Sequence, residues 1–194
     1  MPNEHLMLTS GHDQQYAVAL GSMSVDFDIT LQRVETYDDR IIYDAIENDR
    51  AFLARTLDWV RAYRPEQARS DNFHQMEESR QGLRAPYKII YQGEFAGLTS
   101  LHSRHEKQAY KGYWLVKNQL GKGIATRAAA GLRDYGLSQW GLESIYLHIK
   151  PRNQPSRRVA MRLGATVIGS TRNADSGVFQ KYEVWRLDKD AVGR

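Results

Sequence analysis

Residues 112–126 read Gly112-Tyr113-Trp114-Leu115-Val116-Lys117-Asn118-Gln119-Leu120-Gly121-Lys122-Gly123-Ile124-Ala125-Thr126. An apolar, aromatic run suited to a strand passes into a loop with two glycines, and the loop opens onto a helical pattern. The first turn of a helix carries backbone N–H groups without partners, and the helix dipole adds partial positive charge there. Glycines at 121 and 123 let the chain turn tightly and let an anion approach the backbone. Lys122 adds a full charge. The segment predicts a pyrophosphate site spanning Gln119, Leu120, Gly121, Lys122, Gly123, Ile124, Ala125 and Thr126.

Two familiar phosphate loops do not fit. A Walker A loop has Ser or Thr after its Gly-Lys pair, and Gly123 follows Lys122 here. A dinucleotide fingerprint has a third glycine where Thr126 stands.

A second motif lies downstream. Asn153-Gln-Pro-Ser156-Arg-Arg-Val-Ala-Met-Arg-Leu-Gly164 reads as a short capped helix. Asn153 is a good N-cap, Pro155 is tolerated in the first turn, and Gly164 sits where a C′ glycine belongs. Val159, Ala160 and Leu163 form one apolar stripe. One helix and one strand, Ser144–Ile149, separate it from the glycine loop.

Together these motifs resemble the GNAT superfamily of N-acetyltransferases. The Asn-x-x-Gly121-x-Gly123 loop is similar to the family's coenzyme A loop, although the family has Gln or Arg where Asn118 stands. The Asn-x-x-Ser-Arg-Arg-Val-x-x-x-Leu-Gly helix resembles the Rim-type branch, which modifies the N-termini of ribosomal proteins. Ile29–Arg33 is similar to the first family strand. Leu53-x-x-x-Leu57-Asp-Trp59 resembles a signature in the second helix. Gly97–His102 and Gly112–Leu115 resemble the central strands. The likeness covers about residues 27–188, leaving 1–26 as an N-terminal extension and 189–194 as a tail.

The resemblance implies an α/β GNAT fold. Its central sheet would be mixed and mostly antiparallel, splayed at the strand before the glycine loop and flanked by helices. It implies acetyl-coenzyme A as co-substrate and no metal. It implies direct transfer to a primary amine, a peptide N-terminus or a small amine, and a homodimer. Leu115 and Val116 would pair their backbone with the pantetheine arm, and one of them would supply an oxyanion donor. Asn153 and Ser156 would also touch the coenzyme. Ser156 would protonate the leaving thiolate, because Ala160 stands where many members carry a tyrosine. Asp175 lies near the Rim-type base glutamate. Glu183, His102 and His148 are alternatives for that role.

Composition agrees with this picture. The chain has 194 residues, enough for one domain with a real core. It has no cysteine, which excludes disulfides, thiolate metal sites and an acyl-enzyme on sulfur. No apolar run is long enough for a membrane span and the start lacks a signal-peptide pattern, so a cytoplasmic protein without a membrane partner is expected. Residues 1–97 carry 10 Lys+Arg and 16 Asp+Glu, a net of −6, and residues 98–194 carry 17 and 7, a net of +10. The basic half holds both coenzyme motifs. The acidic half is suited to steering a cationic amine. The basic residues form no dense run with interleaved aromatics, which argues against a nucleic-acid partner. His102 and His105, if on a strand, point to opposite faces, which argues against a metal pair.

Periodicity predicts the remaining elements. A helix follows a capping-box variant at Thr36–Asp39 and carries Tyr37, Ile41, Ile42, Ala45 and Ile46. A second helical run has Phe52, Leu53, Thr56, Leu57 and Val60 on one face and stops before Pro65. A third helix is expected over Ser70–Gln81. Strands are expected at Tyr87–Tyr91, Phe95–Arg104, Gln108–Val116, Ala165–Asn173 and Val178–Leu187, and a long helix at Ile124–Trp140.

Overall fold

Two glycine-bearing strands and the alternation within them organise the molecule. The computed structural model describes residues 21–175 and 178–189, with the side chains of residues 173–179 outside that description. One eight-stranded sheet runs through it in the order β1-β2-β3-β4-β5-β6-β8-β7. The strands are β1 (Met23–Ser24), β2 (Ile29–Arg33), β3 (Ala85–Tyr91), β4 (Glu94–His105), β5 (Gln108–Leu115), β6 (Ser144–Ile149), β7 (Thr166–Asp175) and β8 (Val178–Asp188). Neighbours pair antiparallel except β5 and β6, which are parallel. The helices are α1 (Asp39–Asn48), α2 (Arg50–Leu53), α3 (Pro65–Arg80), α4 (Ile124–Ser138) and α5 (Gln154–Arg162).

Alternating side chains place different cores on the two faces of the sheet. Ala109 and Leu115 of β5, with Leu101 of β4, join a core completed by Ala128, Ala129 and Leu132 of α4 and Val159 and Ala160 of α5. Leu98 and Trp114, directly paired across β4 and β5, face the other way. They pack against a second core of Val34, Ile42, Ile46, Leu53, Val60, Tyr63 and Ala68 around α1 and α3. Gly97 makes the β4–β5 contact possible: a Cβ there would lie 2.0 Å from the Trp114 carbonyl oxygen.

Most predicted elements stand within a few residues of their expected ends. Three differences have physical causes. The expected capping box shifts by one position: the backbone N–H of Glu35 donates to Asp38 Oδ2 at 2.7 Å. The second helical run breaks after Leu53 and resumes as a 3-10 turn over Asp58–Ala62. Arg50, at the start of α2, donates across this break to the carbonyls of Val60 and Tyr63, while Asp58 is drawn into an ion pair with Lys150. Helix α3 begins at Pro65, five residues ahead of Ser70, because proline suits the first helical turn.

The sheet begins ahead of residue 27. Met23 and Ser24 pair with Leu31 and Thr30. Arg127 of α4 donates to Asp26 Oδ2 at 2.9 Å and Asp28 Oδ1 at 2.5 Å, fixing this hairpin against the helix. Residues 1–20 and 190–194, which include most of the expected extension and tail, lie outside the described residues.

Candidate active site

Strands β5 and β6 pair over only three positions, Gln108↔Ser144, Ala109↔Ile145 and Tyr110↔Tyr146. Beyond them the strands diverge, although β5 continues to Leu115 and β6 to Ile149. The gap is a cavity of about 640 Å³, lined among others by Lys111, Tyr113, Leu115, Leu120, Ala125, Leu147, Ile149, Asn153, Ser156 and Val159.

The backbone of β5 divides its groups between β4 and this gap. Val116 N–H donates to Ala96 O at 3.0 Å, in register with the Gly97↔Leu115 pair. In an antiparallel ladder the direction alternates, so residues 112, 114 and 116 address β4 while 111, 113 and 115 address the gap. Leu115 therefore turns its N–H to the open side. Val116 does not: its N–H is held by Ala96, and its carbonyl accepts from Gln119 N–H at 3.1 Å. Of the two expected oxyanion donors, Leu115 is the one whose N–H is not taken by β4.

The glycine loop ends where α4 begins. Gly121 and Gly123 have φ of 79° and 74°, in the left-handed region where glycine carries no side-chain strain. Gly123 is the N-cap and supplies no side chain to close the first turn. Its carbonyl accepts from the N–H groups of Thr126 and Arg127, both at 3.1 Å. Among the described residues, the amides of 121–125 have no backbone acceptor. This is a row of donors at the positive end of a helix, open to an anion.

Two loop side chains behave differently from expectation. Lys122 Nζ donates to Gln119 Oε1 at 2.7 Å and lies 5.5 Å from the Tyr91 ring centroid. Gln119 is itself buried, so the contact ties the loop to the interior. Ile124 is buried in the α4 core, which leaves its backbone alone to face a ligand.

Helix α5 closes the opposite wall. Asn153 Oδ1 accepts from Ser156 N–H at 3.3 Å, which makes Asn153 the N-cap. Asn153 and Ser156 both line the cavity with Leu115. Glu183 is committed elsewhere: it accepts from Arg157 Nε at 3.0 Å and from Trp185 Nε1 at 3.1 Å, tying β8 to α5. Asp175 ends β7 opposite Val178, and its side chain lies outside the described set.

The aromatic and titratable groups around the gap were less legible. His148 and Tyr182 line it, and the His148 ring stands edge-on to Tyr110, 4.9 Å between centroids. Burial lowers the pKa of His148 from its ordinary value. His102 stacks on the other side of Tyr110 and is pushed down to about 4, chiefly by burial and then by Arg84. Lys111 is buried and pushed down to about 7 by desolvation, with Nζ 3.4 Å from Thr99 Oγ1. Sequence alternation already aligns Lys111, Tyr113 and Leu115, but nothing in the sequence says that the neighbouring strand departs there.

A second cavity of about 480 Å³ lies between α1, α3 and the sheet. It shares Leu57, Trp59, His102, Gly112, Tyr113 and Trp114 with the first, so the two spaces meet over the middle of β5. Asp71 and Glu78 lie in it, and Glu78 already accepts from Arg84 Nε at 2.5 Å. Among the described residues no group of three or more His, Asp or Glu is placed to hold a metal ion, and no helix is long and apolar enough to cross a membrane.

Known proteins share this fold. The ribosomal L7/L12 α-N-protein acetyltransferase RimL, solved in complex with coenzyme A, superposes with a TM-score of 0.81 at 23% identity, covering 88% of this chain and 99% of RimL. The microcin C7 self-immunity acetyltransferase MccE, solved with acetyl-CoA and AMP, gives 0.79 at 23% identity, covering 89% of this chain and 98% of the other. YdaF of Bacillus subtilis (strain 168), named among the ribosomal N-acetyltransferases, is 32% identical over 87 residues, 44% of this chain. The matched stretch spans about half of that relative, 48% of its length. Residues 28–166 match the family described as Acetyltransferase (GNAT) domain, and with the splayed strands, the glycine loop and the Asn153 helix in place, the chain belongs to the GNAT acetyltransferase family.

Proposed function

We propose that this protein transfers the acetyl group of acetyl-coenzyme A directly to a primary amine, and that the amine is the N-terminus of a protein or peptide. The observation that carries the proposal is the divergence of β5 from β6 beside an uncapped helix start. An extended amide-bearing arm would lie along β5 and bond to the backbone groups that address the gap. Its pyrophosphate would meet the amides of 121–125. Relatives named as ribosomal N-acetyltransferases support the acceptor class. A cytoplasmic setting and a homodimer belong to the same proposal.

The chemistry follows from what converges there. Proximity within one cavity replaces a bimolecular encounter. The amine nitrogen attacks the thioester carbonyl carbon, and the resulting oxyanion accepts from Leu115 N–H. The C–S bond breaks, and the departing thiolate takes a proton from Ser156 Oγ. Asp175, at the end of β7, is the carboxylate we assign to the ammonium proton of the acceptor. The acceptor enters from the second cavity, where Asp71, bonded to the Tyr63 side chain, offers a carboxylate and Glu78 is held by Arg84.

The test is calorimetry with acetyl-coenzyme A, followed by thiol release with serine- or alanine-initiated peptides, polyamines and aminoglycosides. Binding plus peptide-dependent release is the expected result. Release only with small amines would move the acceptor to that class. Binding without release would leave a coenzyme-sensing module, and no binding would overturn the proposal.

A further inference from the structure

The Tyr113 hydroxyl is left without a regular partner beside the β5–β6 cavity. Among the described residues, three buried side-chain polar atoms lack a hydrogen-bond partner: Arg33 Nε, Trp140 Nε1 and Tyr113 Oη. Of these three residues, only Tyr113 lines the β5–β6 cavity. A buried donor without a partner is costly in any fold. Tyr113 stands two residues before Leu115 on the same strand, so their side chains share a face of the sheet, and both residues line the cavity. Across the gap, Ser156 lies near enough to act on the phenol, though without a bond of regular geometry.

We infer that Tyr113 completes the acid that protonates the leaving thiolate, by donating its phenolic hydrogen to Ser156 Oγ as Ser156 gives its own to sulfur. This rests on the acetyl-transfer function proposed above and assigns a further residue to it. A serine hydroxyl alone is a very weak acid. A phenol bonded behind it lowers the cost of giving up the proton, because the negative charge comes to rest on the phenolate oxygen. Burial raises the Tyr113 phenol to about 12, against which Ser156 pulls slightly, and this still leaves it a far better proton source than an unassisted alcohol. The step balances. The C–S bond breaks with its electron pair on sulfur, sulfur takes the Ser156 proton, and Ser156 takes the Tyr113 proton. The proton lost by the amine nitrogen returns to the phenolate through solvent. Nothing is oxidised or reduced.

Tyr113→Phe keeps the ring and removes only the hydroxyl. Because that hydroxyl has no regular partner in the empty protein, the variant should unfold at the same temperature as wild type or slightly above it. Its calorimetric affinity for acetyl-coenzyme A should stay within about twofold, while kcat with a peptide acceptor falls about tenfold or more. Tyr113→Phe combined with Ser156→Ala should lose no more than Ser156→Ala alone, as expected of two groups acting as one unit. A Tyr113→Phe kcat within about twofold of wild type would overturn the inference, as would losses that multiply in the double variant. Failure of the wild type to bind acetyl-coenzyme A or release thiol would instead overturn the acetyl-transfer function, which separates the two outcomes.

Discussion

Lys150 and Asp58 form an ion pair with Nζ to Oδ2 at 2.5 Å, joining the end of β6 to the 3-10 turn before α3. Their side chains are 5% and 10% exposed. Gln180 of β8 donates to the same Asp58 oxygen. One carboxylate thus binds the helical region, the diverging strand and the last strand beside the cavity. Burial opposes its charge, but the bonds from Lys150 and Gln180 outweigh burial and hold the Asp58 pKa below the ordinary value.

Lys150→Met should therefore cost up to about 3 kcal/mol of unfolding free energy, because it removes the buried ammonium from Asp58 and leaves only Gln180 and the more exposed Arg61, 4.0 Å away, as partners. Urea unfolding at pH 7 checks this. The sign with pH follows from the lowered pKa. The wild-type contribution is complete above about pH 4, the unfolded value, and is lost as pH falls through the lower folded value. The variant should show less of that acid dependence, with Gln180 and Arg61 the partners left to Asp58.

Lys111 predicts the opposite direction. Its folded pKa of about 7 lies below the ordinary lysine value because the ammonium is desolvated. The unfolded chain then binds more protons between about pH 7 and 10.4, so stability rises with pH across that window. Lys111→Met should raise stability near pH 7 by about 1–3 kcal/mol, and the gain should shrink toward pH 10. Thermal unfolding of both proteins at pH 7 and pH 9.5 decides it; a destabilised variant at pH 7 would contradict the account.

Gly123→Asp places a side chain at φ 74° and a negative charge at the open amides. Acetyl-coenzyme A affinity should fall by about tenfold or more, since strain and repulsion act together. No atom lies within 4 Å of the added Cβ, so the fold should survive and circular dichroism should be unchanged.

Asn153→Ala removes the cap on α5 and should cost about 1 kcal/mol. It should also weaken acetyl-coenzyme A binding, because Asn153 lines the cavity. A stability loss with unchanged affinity would confine Asn153 to capping.

Ser156→Ala should lower kcat about 10²–10⁴-fold, with little change in acetyl-coenzyme A affinity. Unchanged turnover on a working acceptor would mean that the thiolate is protonated by another group.

The glycine loop, the Asn153 cap and nearly every strand were legible because each depends on local rules: left-handed φ, an N-cap, period-two alternation. The break after Leu53 was not, because it is set by Arg50 reaching Val60 and by Asp58 meeting Lys150, 92 residues away. The roles of Lys122 and Gln119 were hidden for the same reason. A lysine beside a glycine loop suggests an anion contact, whereas its partner here is a buried amide two residues ahead of the first glycine. Resemblance named Leu115 and Val116 as equals; only the Ala96 contact separates them. Tyr113 lay in plain view within the opening stretch, but its isolation is a property of packing that no spacing encodes.

The early parting of β5 and β6 gives the sheet two interior edges in addition to the outer ones at β1 and β7. Exposed strand edges normally invite another polypeptide. These border a cavity lined from α4, α5 and the Leu57–Trp59 segment, a space suited to a slender, amide-bearing guest. In the empty protein, the amides of Tyr113 and Leu115 should exchange rapidly with deuterium while those of Trp114 and Val116 are shielded by β4. Occupancy should erase this odd–even contrast, making hydrogen exchange along four consecutive residues a direct register of whether the gap is filled.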